Sequence, residues 1–132
     1  MAYILLSYYS NDKCSSLLSK GLQRRQFSEV AQNIAMVSEK ELAATSGISQ
    51  RTISRMKPDQ ILPTPVSEVL ISIMRTYGRA VEVFESEEIA HRWLKTHLAA
   101  LGNKTPLEAT SNRFSAELAL DILGRIEHGI YS

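Results

Sequence analysis

Among the residues able to carry out covalent or metal chemistry, none stands at the spacing that such chemistry needs. Cys14 is the one cysteine, and it lies among serines and lysines with no obvious base beside it, which is more typical of a structurally neutral thiol than of a nucleophile. His91 and His97 are six residues apart and fall on different faces of a helix, so they cannot chelate a metal as an i, i+4 pair could. Glu87 and Glu88 stand at a helix start, where carboxylates favour the helix dipole. We therefore expect no enzyme, no cofactor and no metal site.

Small and apolar residues recur at a diagnostic spacing between Glu41 and Met56. Ala43 is followed by Gly47 four residues later, by Ile53 six residues after that, and by Met56 three residues further on. Two helices that cross tightly need a small residue at their closest point, and the short turn between them needs a residue that tolerates a positive φ. This pattern predicts a helix-turn-helix. An ordinary helical hairpin with a glycine turn is the competing interpretation.

The outward side chains of the second of these helices favour DNA binding over the plain hairpin. Glutamine can pair with adenine and arginine with guanine through two hydrogen bonds, and the N-terminal part of such a helix reaches the base edges. Lysines nearby would meet phosphates, which give affinity without sequence preference, and Arg24 or Arg25 could do the same. The candidate DNA-binding residues are Ser49, Gln50, Arg51, Thr52, Ser54, Arg55, Lys57 and Lys40.

Charge is distributed unequally along the chain. Residues 1–57 contain eight basic and four acidic residues, a net charge of +4, whereas residues 58–132 have a net charge of −3. A basic front half suggests a polyanionic partner and an acidic back half suggests a different one. Chance scatter of solvated charges explains the asymmetry equally well, so charge alone does not decide.

Helical periodicity dominates from about residue 13, and long alternating runs typical of strands are absent. Capping residues mark helix starts near Ser38, Ser49, Thr64, Ser86 and Thr105, and the last helix begins at about Asn112. After Thr64 the apolar residues step by three or four through Val66, Val69, Leu70, Ile73, Met74, Tyr77, Val81 and Phe84. The last helix has a similar stripe at four-residue steps, formed by Phe114, Leu118, Ile122 and Ile126. We expect an all-α fold of six or so helices, and the start "YILLSYY" stays open between a strand and a packing arm.

The chain is divided, in this interpretation, into a front region at 1–62 and a back region at 63–132. The front region would contain the N-terminal arm and the helix-turn-helix, and a long helix would join it to a small helical C-terminal domain. The lack of a basic leader region, of a transmembrane segment and of paired cysteines favours the cytoplasm.

The C-terminal block contains a more specific set of motifs. It includes "WL" at 93–94, "ALG" at 100–102, "TPLE" at 105–108 and "LGRIEHGIY" at 123–131. In this order they resemble the C-terminal domain of the Xre/MbcA/ParS antitoxins, the partners of RES-domain toxins. With the helix-turn-helix and the helix ending "VEVF" at 81–84, the resemblance covers about residues 22–132. The chain departs from the family at Asn103, where a second glycine is more common, and at Ala109 and Thr110.

The resemblance implies an antitoxin of a type II toxin–antitoxin system, which binds as a homodimer to the operator of its own operon and represses it. It also implies that the chain end lies over the active site of a toxin that consumes NAD⁺ or uses it for ADP-ribosylation. Carried over to this sequence, the toxin-binding residues are Gly124, Arg125, Glu127, His128, Gly129, Ile130 and Tyr131.

Two alternatives stay open at this point. The chain could be a stand-alone dimeric helix-turn-helix regulator without a toxin partner. Its end could also pack on its own core, with Ile130 contacting Ile126 after a left-handed Gly129, a common helix ending. Gly124 favours a partner, because glycine inside a helix costs roughly 1 kcal/mol relative to alanine and is tolerated where another backbone or a ring approaches.

Overall fold

The computed structural model describes residues 11–129, which form eight α-helices and no strand. This confirms the predicted all-α fold. A π-helical turn, Ala31–Ala35, continues the second helix, and one 3-10 turn, Ala99–Leu101, precedes the seventh. The helices are α1 (Asn11–Lys20), α2 (Arg24–Val30), α3 (Glu39–Ser46), α4 (Gln50–Arg55), α5 (Thr64–Phe84), α6 (Glu87–Leu94), α7 (Pro106–Ala109) and α8 (Arg113–Glu127).

The long helix α5 forms the centre of the fold. It packs against α1, α2 and α3 on the N-terminal side and against α6 and α8 on the C-terminal side. Its predicted stripe is confirmed, since Leu70, Ile73 and Tyr77 are fully buried and Val81 and Phe84 pack on the core. One hydrophobic core therefore runs through both halves, and the division between residues 62 and 63 stays a prediction.

Most helix starts are capped as the sequence predicts. The side-chain oxygens of the capping residues accept the N–H three residues on, at 2.9–3.1 Å; these are Ser38, Ser49, Ser86, Thr105 and Asn112. The exception is α5, which begins one residue earlier than predicted: the carbonyl of Pro63 accepts the N–H groups of Val66 and Ser67, so Pro63 takes the cap position and Thr64 is already helical.

The apolar stripe predicted on α8 is not buried at its first two residues. Phe114 is 87% exposed and Leu118 is 37% exposed, whereas Ala116 and Ala119 are buried in their place. Four-residue steps rotate by about 40° each on a helix of 3.6 residues per turn, so a stripe from Phe114 to Ile126 winds around the helix. The small alanines allow α8 to approach closely, and this sets the buried face away from Phe114.

No helix in the described range combines the length and the apolar character needed to cross a bilayer.

Candidate DNA-recognition and partner-binding surfaces

The helices α3 and α4 form the pair that the sequence predicts between Glu41 and Met56. Gly47 ends α3 in the left-handed conformation, with φ of +76°, and three residues separate the two helices. Ala43 and Ile53 are each 1% exposed, so they pack the pair together. The geometry is that of a tight helical pair with a glycine turn; that it reads DNA stays a prediction.

The outward face of α4 is exposed and basic. All of the candidate DNA-binding residues are exposed, from Lys40 on α3 to Lys57 after α4. Some of the hydroxyls already have local partners: Ser49 Oγ accepts the N–H of Thr52 at 3.0 Å and lies 2.7 Å from Thr52 Oγ1, and Ser54 Oγ donates to the Gln50 carbonyl. The side chains of Gln50, Arg51 and Arg55 therefore offer the longest reach from this face.

The side chain of Arg24 is held inside the protein by hydrogen bonds. This corrects the prediction that Arg24 could contact DNA phosphates. Its Nε donates to the Ile53 carbonyl at 2.7 Å, and its guanidinium nitrogens donate to Ser28 Oγ at 2.8 Å and to Glu39 Oε1 at 2.6 Å. The side chain is only 15% exposed and lies over the Phe27 ring. One guanidinium thus ties α2, α3 and α4 together. Its neighbour Arg25 is exposed.

The segment after α4, residues 58–62, is held against the start of α2 by backbone hydrogen bonds. Carbonyls of Gln60 and Pro58 accept the first N–H groups of α2, from Arg24 at 2.9 Å and Arg25 at 3.0 Å. The N–H of Leu62 donates to the Leu22 carbonyl at 2.8 Å. Backbone groups that α2 could not satisfy within its own helix are therefore satisfied by this segment.

The motifs of the C-terminal block form a compact turn between α6 and α8. Trp93 is buried and packs near the ring of Phe84, as expected for a core residue. Gly102 and Asn103 both have a positive φ, of +65° and +66°, a conformation that glycine and asparagine adopt more readily than other residues. Thr105 and Glu108 form a reciprocal capping box, and the hydrogen bonds from Thr105 lower the pKa of the Glu108 carboxyl.

The end of α8 is anchored to α5 by an ion pair that the sequence does not reveal. Arg79 donates two hydrogen bonds to the Glu127 carboxylate, at 2.7 and 3.0 Å, and a third to Glu82 at 2.6 Å. The bond from Arg79 lowers the pKa of Glu127, and the same bond raises the pKa of Arg79. Glu127 therefore helps to position the helix end, and its role in toxin binding stays a prediction.

The other predicted toxin-binding residues that the structure describes face outward. Arg125, His128 and Gly129 are exposed and Gly124 is half-buried. Gly129 has φ of +73°, as predicted for a left-handed helix ending. A Cβ added at Gly124 would have no atom within 4 Å, so no described part of this chain requires glycine there. Ile130, Tyr131 and the "YILLSYY" start lie outside the described residues.

The two histidines that were considered as metal ligands each lie within hydrogen-bond distance of a backbone carbonyl. His91 stacks on Tyr77 with ring centroids 4.6 Å apart, and its Nε2 lies 3.1 Å from the Asn33 carbonyl. His97 Nδ1 lies 2.8 Å from the Asn103 carbonyl. Within residues 11–129, no group of three or more His, Cys, Asp or Glu side chains is placed to hold a metal ion.

Comparison with known proteins relates the C-terminal features to one family of antitoxins. Residues 79–129 match the family model described as the antitoxin Xre/MbcA/ParS C-terminal toxin-binding domain, a span that begins at Arg79 and includes its partner Glu127. The antitoxin Xre of Yersinia enterocolitica serotype O:8 / biotype 1B is 28% identical over 100 residues, which are 74% of this chain and 68% of that protein. The antitoxin Xre of Photorhabdus laumondii subsp. laumondii is 26% identical over 125 residues, 93% of this chain and 84% of that protein. Residues 79–129 are therefore similar to the toxin-binding domain of Xre/MbcA/ParS antitoxins, and the chain as a whole is similar to two antitoxins named Xre.

Proposed function

We propose that this antitoxin neutralises a RES-domain, NAD⁺-consuming toxin in the cytoplasm by covering its active site with the end of α8. We further propose that it represses its own operon as a homodimer that binds operator DNA through α4. One observation carries the first part: within the family-matched region, the ion pair of Arg79 and Glu127 fixes the end of α8 while the side chains of Arg125 and His128, beside Gly124, are exposed.

A fixed helix end suits the capture of a partner. Ordering a flexible segment on binding opposes association, and a segment that is already held avoids much of that loss. The bare backbone at Gly124, with open space where a Cβ would lie, permits a close approach by a partner's backbone or ring. Gly124 is helical and needs no special φ, so the chain's own conformation does not explain the glycine.

The proposal for α4 is supported by its exposed basic face and by the way it is held. The hydrogen bonds of Arg24 and the backbone contacts of residues 58–62 fix α4 against α2. Base reading needs side chains presented from a rigid element. Glutamine and arginine on such a face can each form two hydrogen bonds with a base.

The test of toxin capture is Gly124→Leu, compared with Asp121→Leu on the same exposed stretch of α8. We expect the change at Gly124 to reduce binding of the co-encoded toxin at least tenfold, because the new side chain fills the space left for the partner. Its thermal stability should be equal or higher, since leucine favours a helix over glycine by about 1 kcal/mol. Binding is measured by calorimetry with the purified toxin, and protection by growth of cells that express it.

The matched variant Asp121→Leu should leave toxin binding within about twofold of wild type. Wild-type-like binding by the Gly124→Leu chain would overturn the occlusion proposal. Recovery of no second protein with the natively expressed chain would favour the stand-alone regulator instead.

The test of operator binding is Arg51→Ala, compared with Arg92→Ala, an exposed arginine on α6. Loss of a two-bond contact with a base should weaken specific binding by about 1–3 kcal/mol and relax the preference at that base pair. Binding of the intact chain to the operon's upstream DNA is measured at two salt concentrations. Equal affinities of the two variants for the operator DNA would contradict the proposal that α4 binds it. Toxin binding should be unchanged in both variants.

A further inference from the structure

A hollow of about 560 Å³ lies between α1, α5 and α8, a volume within the range of ligand pockets in proteins. Part of its wall is apolar: Leu18 comes from α1, Val69 from α5, and Ala116 and Leu120 from α8. Apolar side chains that fill such a space remove these walls from water, which is favourable. The hollow is therefore suited to an apolar occupant.

Charged side chains that line the hollow form two ion pairs between α5 and α8. Arg113 lies 3.5 Å from Glu68, and Arg75 lies 3.9 Å from Glu117. Both contacts are long, and the side chains of Arg113 and Glu117 are mostly exposed. Ion pairs of this kind contribute little to stability, so the four charges can exchange partners with a bound protein at a small cost.

The hollow and Gly124 lie on the same side of α8. Residues 113, 117, 120 and 124 follow one another at steps of four, three and four, which places them along one side of a helix. Leu120 lines the hollow and precedes Gly124 by about one turn, or about 6 Å. A Cβ added at Gly124 would have no atom within 4 Å, so the space beside the glycine is open as well.

Helix α5 runs beside α8 from the hollow to the fixed helix end. Ion pairs join the two helices in chain order, Glu68 with Arg113, Arg75 with Glu117, and Arg79 with Glu127. The helices therefore run in the same direction, and the boundary between them leads from the hollow to the end of α8. A single partner bound along this boundary reaches both.

We propose that the hollow is a second part of the toxin interface, in which apolar side chains of the toxin enter between α1, α5 and α8. The inference rests on the proposed function and adds a contact surface for the same partner. The end of one helix is a small contact, whereas a stable interface buries about 800 Å² on each partner. An apolar site beside the helix end supplies the buried anchor that such interfaces need.

The first test uses the single cysteine, because Cys14 is half-buried and lines the hollow. Reaction of a thiol with N-ethylmaleimide depends on its exposure. We expect saturating toxin to slow the reaction of Cys14 at least about fivefold, as measured by mass spectrometry of the full chain. In the control chain, Cys14→Ser with Ser16→Cys, the thiol stands at an exposed position of α1 outside the hollow, and toxin should change its rate less than about twofold. A Cys14 that reacts at the same rate in the complex would overturn the proposal.

The second test fills the hollow from its own wall. Ser72 is half-buried on α5 and lines the hollow. We expect Ser72→Leu to weaken toxin binding at least about tenfold, because leucine occupies the space that the toxin enters. The thermal midpoint should be equal or higher, since leucine favours a helix over serine, and circular dichroism checks the fold. The control Ser16→Leu makes the same change outside the hollow and should leave the affinity, measured by calorimetry, within about twofold.

The same chains separate this inference from the proposed function. If Gly124→Leu weakens toxin binding and Ser72→Leu does not, the toxin uses the helix end without the hollow, and only this inference is overturned. If the wild-type chain binds no toxin, both are overturned. If the labelling of Cys14 slows as the concentration of the isolated chain rises, a second copy of the chain covers the hollow instead, and this inference is again overturned.

Discussion

At the scale of single residues, the arginines divide into those that hold the fold and those that face solvent. Arg24 and Arg25 are neighbours in the sequence, yet only Arg24 reaches into the space between α2, α3 and α4. A guanidinium with its donors in a fixed plane can satisfy three acceptors at once, which a lysine ammonium on a flexible stem does less well. From the sequence, either arginine could contact DNA phosphates. In the packed structure only Arg25 is exposed to make such a contact.

Arg24 and Arg25 allow a stability experiment in which the exposed arginine is the control for the buried one. We expect Arg24→Ala to lower the free energy of unfolding by about 2 kcal/mol, because charge-assisted hydrogen bonds of a mostly buried group are lost. Arg25→Ala should change it by less than about 0.5 kcal/mol, as for other exposed sites. Urea unfolding followed by circular dichroism measures both. Equal values for the two variants would show that the Arg24 contacts contribute nothing.

At the scale of elements, the end of α8 depends on a single ionised group. Because the hydrogen bonds from Arg79 lower the pKa of Glu127, folding favours the charged carboxylate. The stabilisation is therefore present above the ordinary glutamate pKa and is lost as the pH falls through the lower pKa of the folded state. The end of α8 should loosen in acid before the helix itself unfolds.

This predicts a pH-dependent difference between wild type and Glu127→Gln. The thermal midpoint of the variant should lie below that of wild type near pH 7, and the gap should close as the pH falls below roughly 4. Asp121→Asn, an exposed change on the same helix, serves as the control and should show no such convergence with wild type. A difference in thermal midpoint between wild type and Glu127→Gln that stays constant from pH 7 to pH 3 would rule out the ion pair as the cause of that difference.

At the scale of the whole molecule, the regions proposed to bind DNA and toxin share a hydrophobic core and are connected by hydrogen bonds. Helix α5 contributes to the core of both. In addition, His91 on α6 contacts the Asn33 carbonyl, and the ammonium of Lys95 donates to the Met36 carbonyl. Asn33 lies within the π-helical turn that continues α2 and Met36 directly follows that turn, so α6 and the residue after it satisfy backbone groups at the end of α2.

A shared core predicts one cooperative unfolding transition. Trp93 is the single tryptophan and reports on the C-terminal side, whereas Leu42 is fully buried in α3 on the other side. We expect Leu42→Ala to lower the stability measured by Trp93 fluorescence by about 2–5 kcal/mol. Ala44→Ser, an exposed change on α3, is the control. A fluorescence transition that Leu42→Ala leaves unmoved would mean that the two sides unfold independently.

The sequence by itself determined the features that depend on neighbours within a few residues. Caps such as Ser38 and Thr105, the left-handed Gly47 and the apolar face of α5 follow from hydrogen bonds and periodicity along one helix, so they could be predicted. The positions of Gln50 and Arg51 on an exposed face follow from the same periodicity. The motifs near the C-terminus depend on residue order alone, so the resemblance to Xre/MbcA/ParS antitoxins could also be found from the sequence.

The tertiary structure alone decided which side of α8 is buried and which charges meet. Arg79 and Glu127 are 48 residues apart and Arg24 and Glu39 are 15 apart, and no local rule pairs them because their contact depends on how the helices pack. The same packing turned Phe114 toward solvent, since Ala116 and Ala119 allow a closer approach to the core. Local interactions therefore set the helices and their exposed faces, whereas close packing between distant helices set the fixed helix end on which the proposal for toxin capture rests.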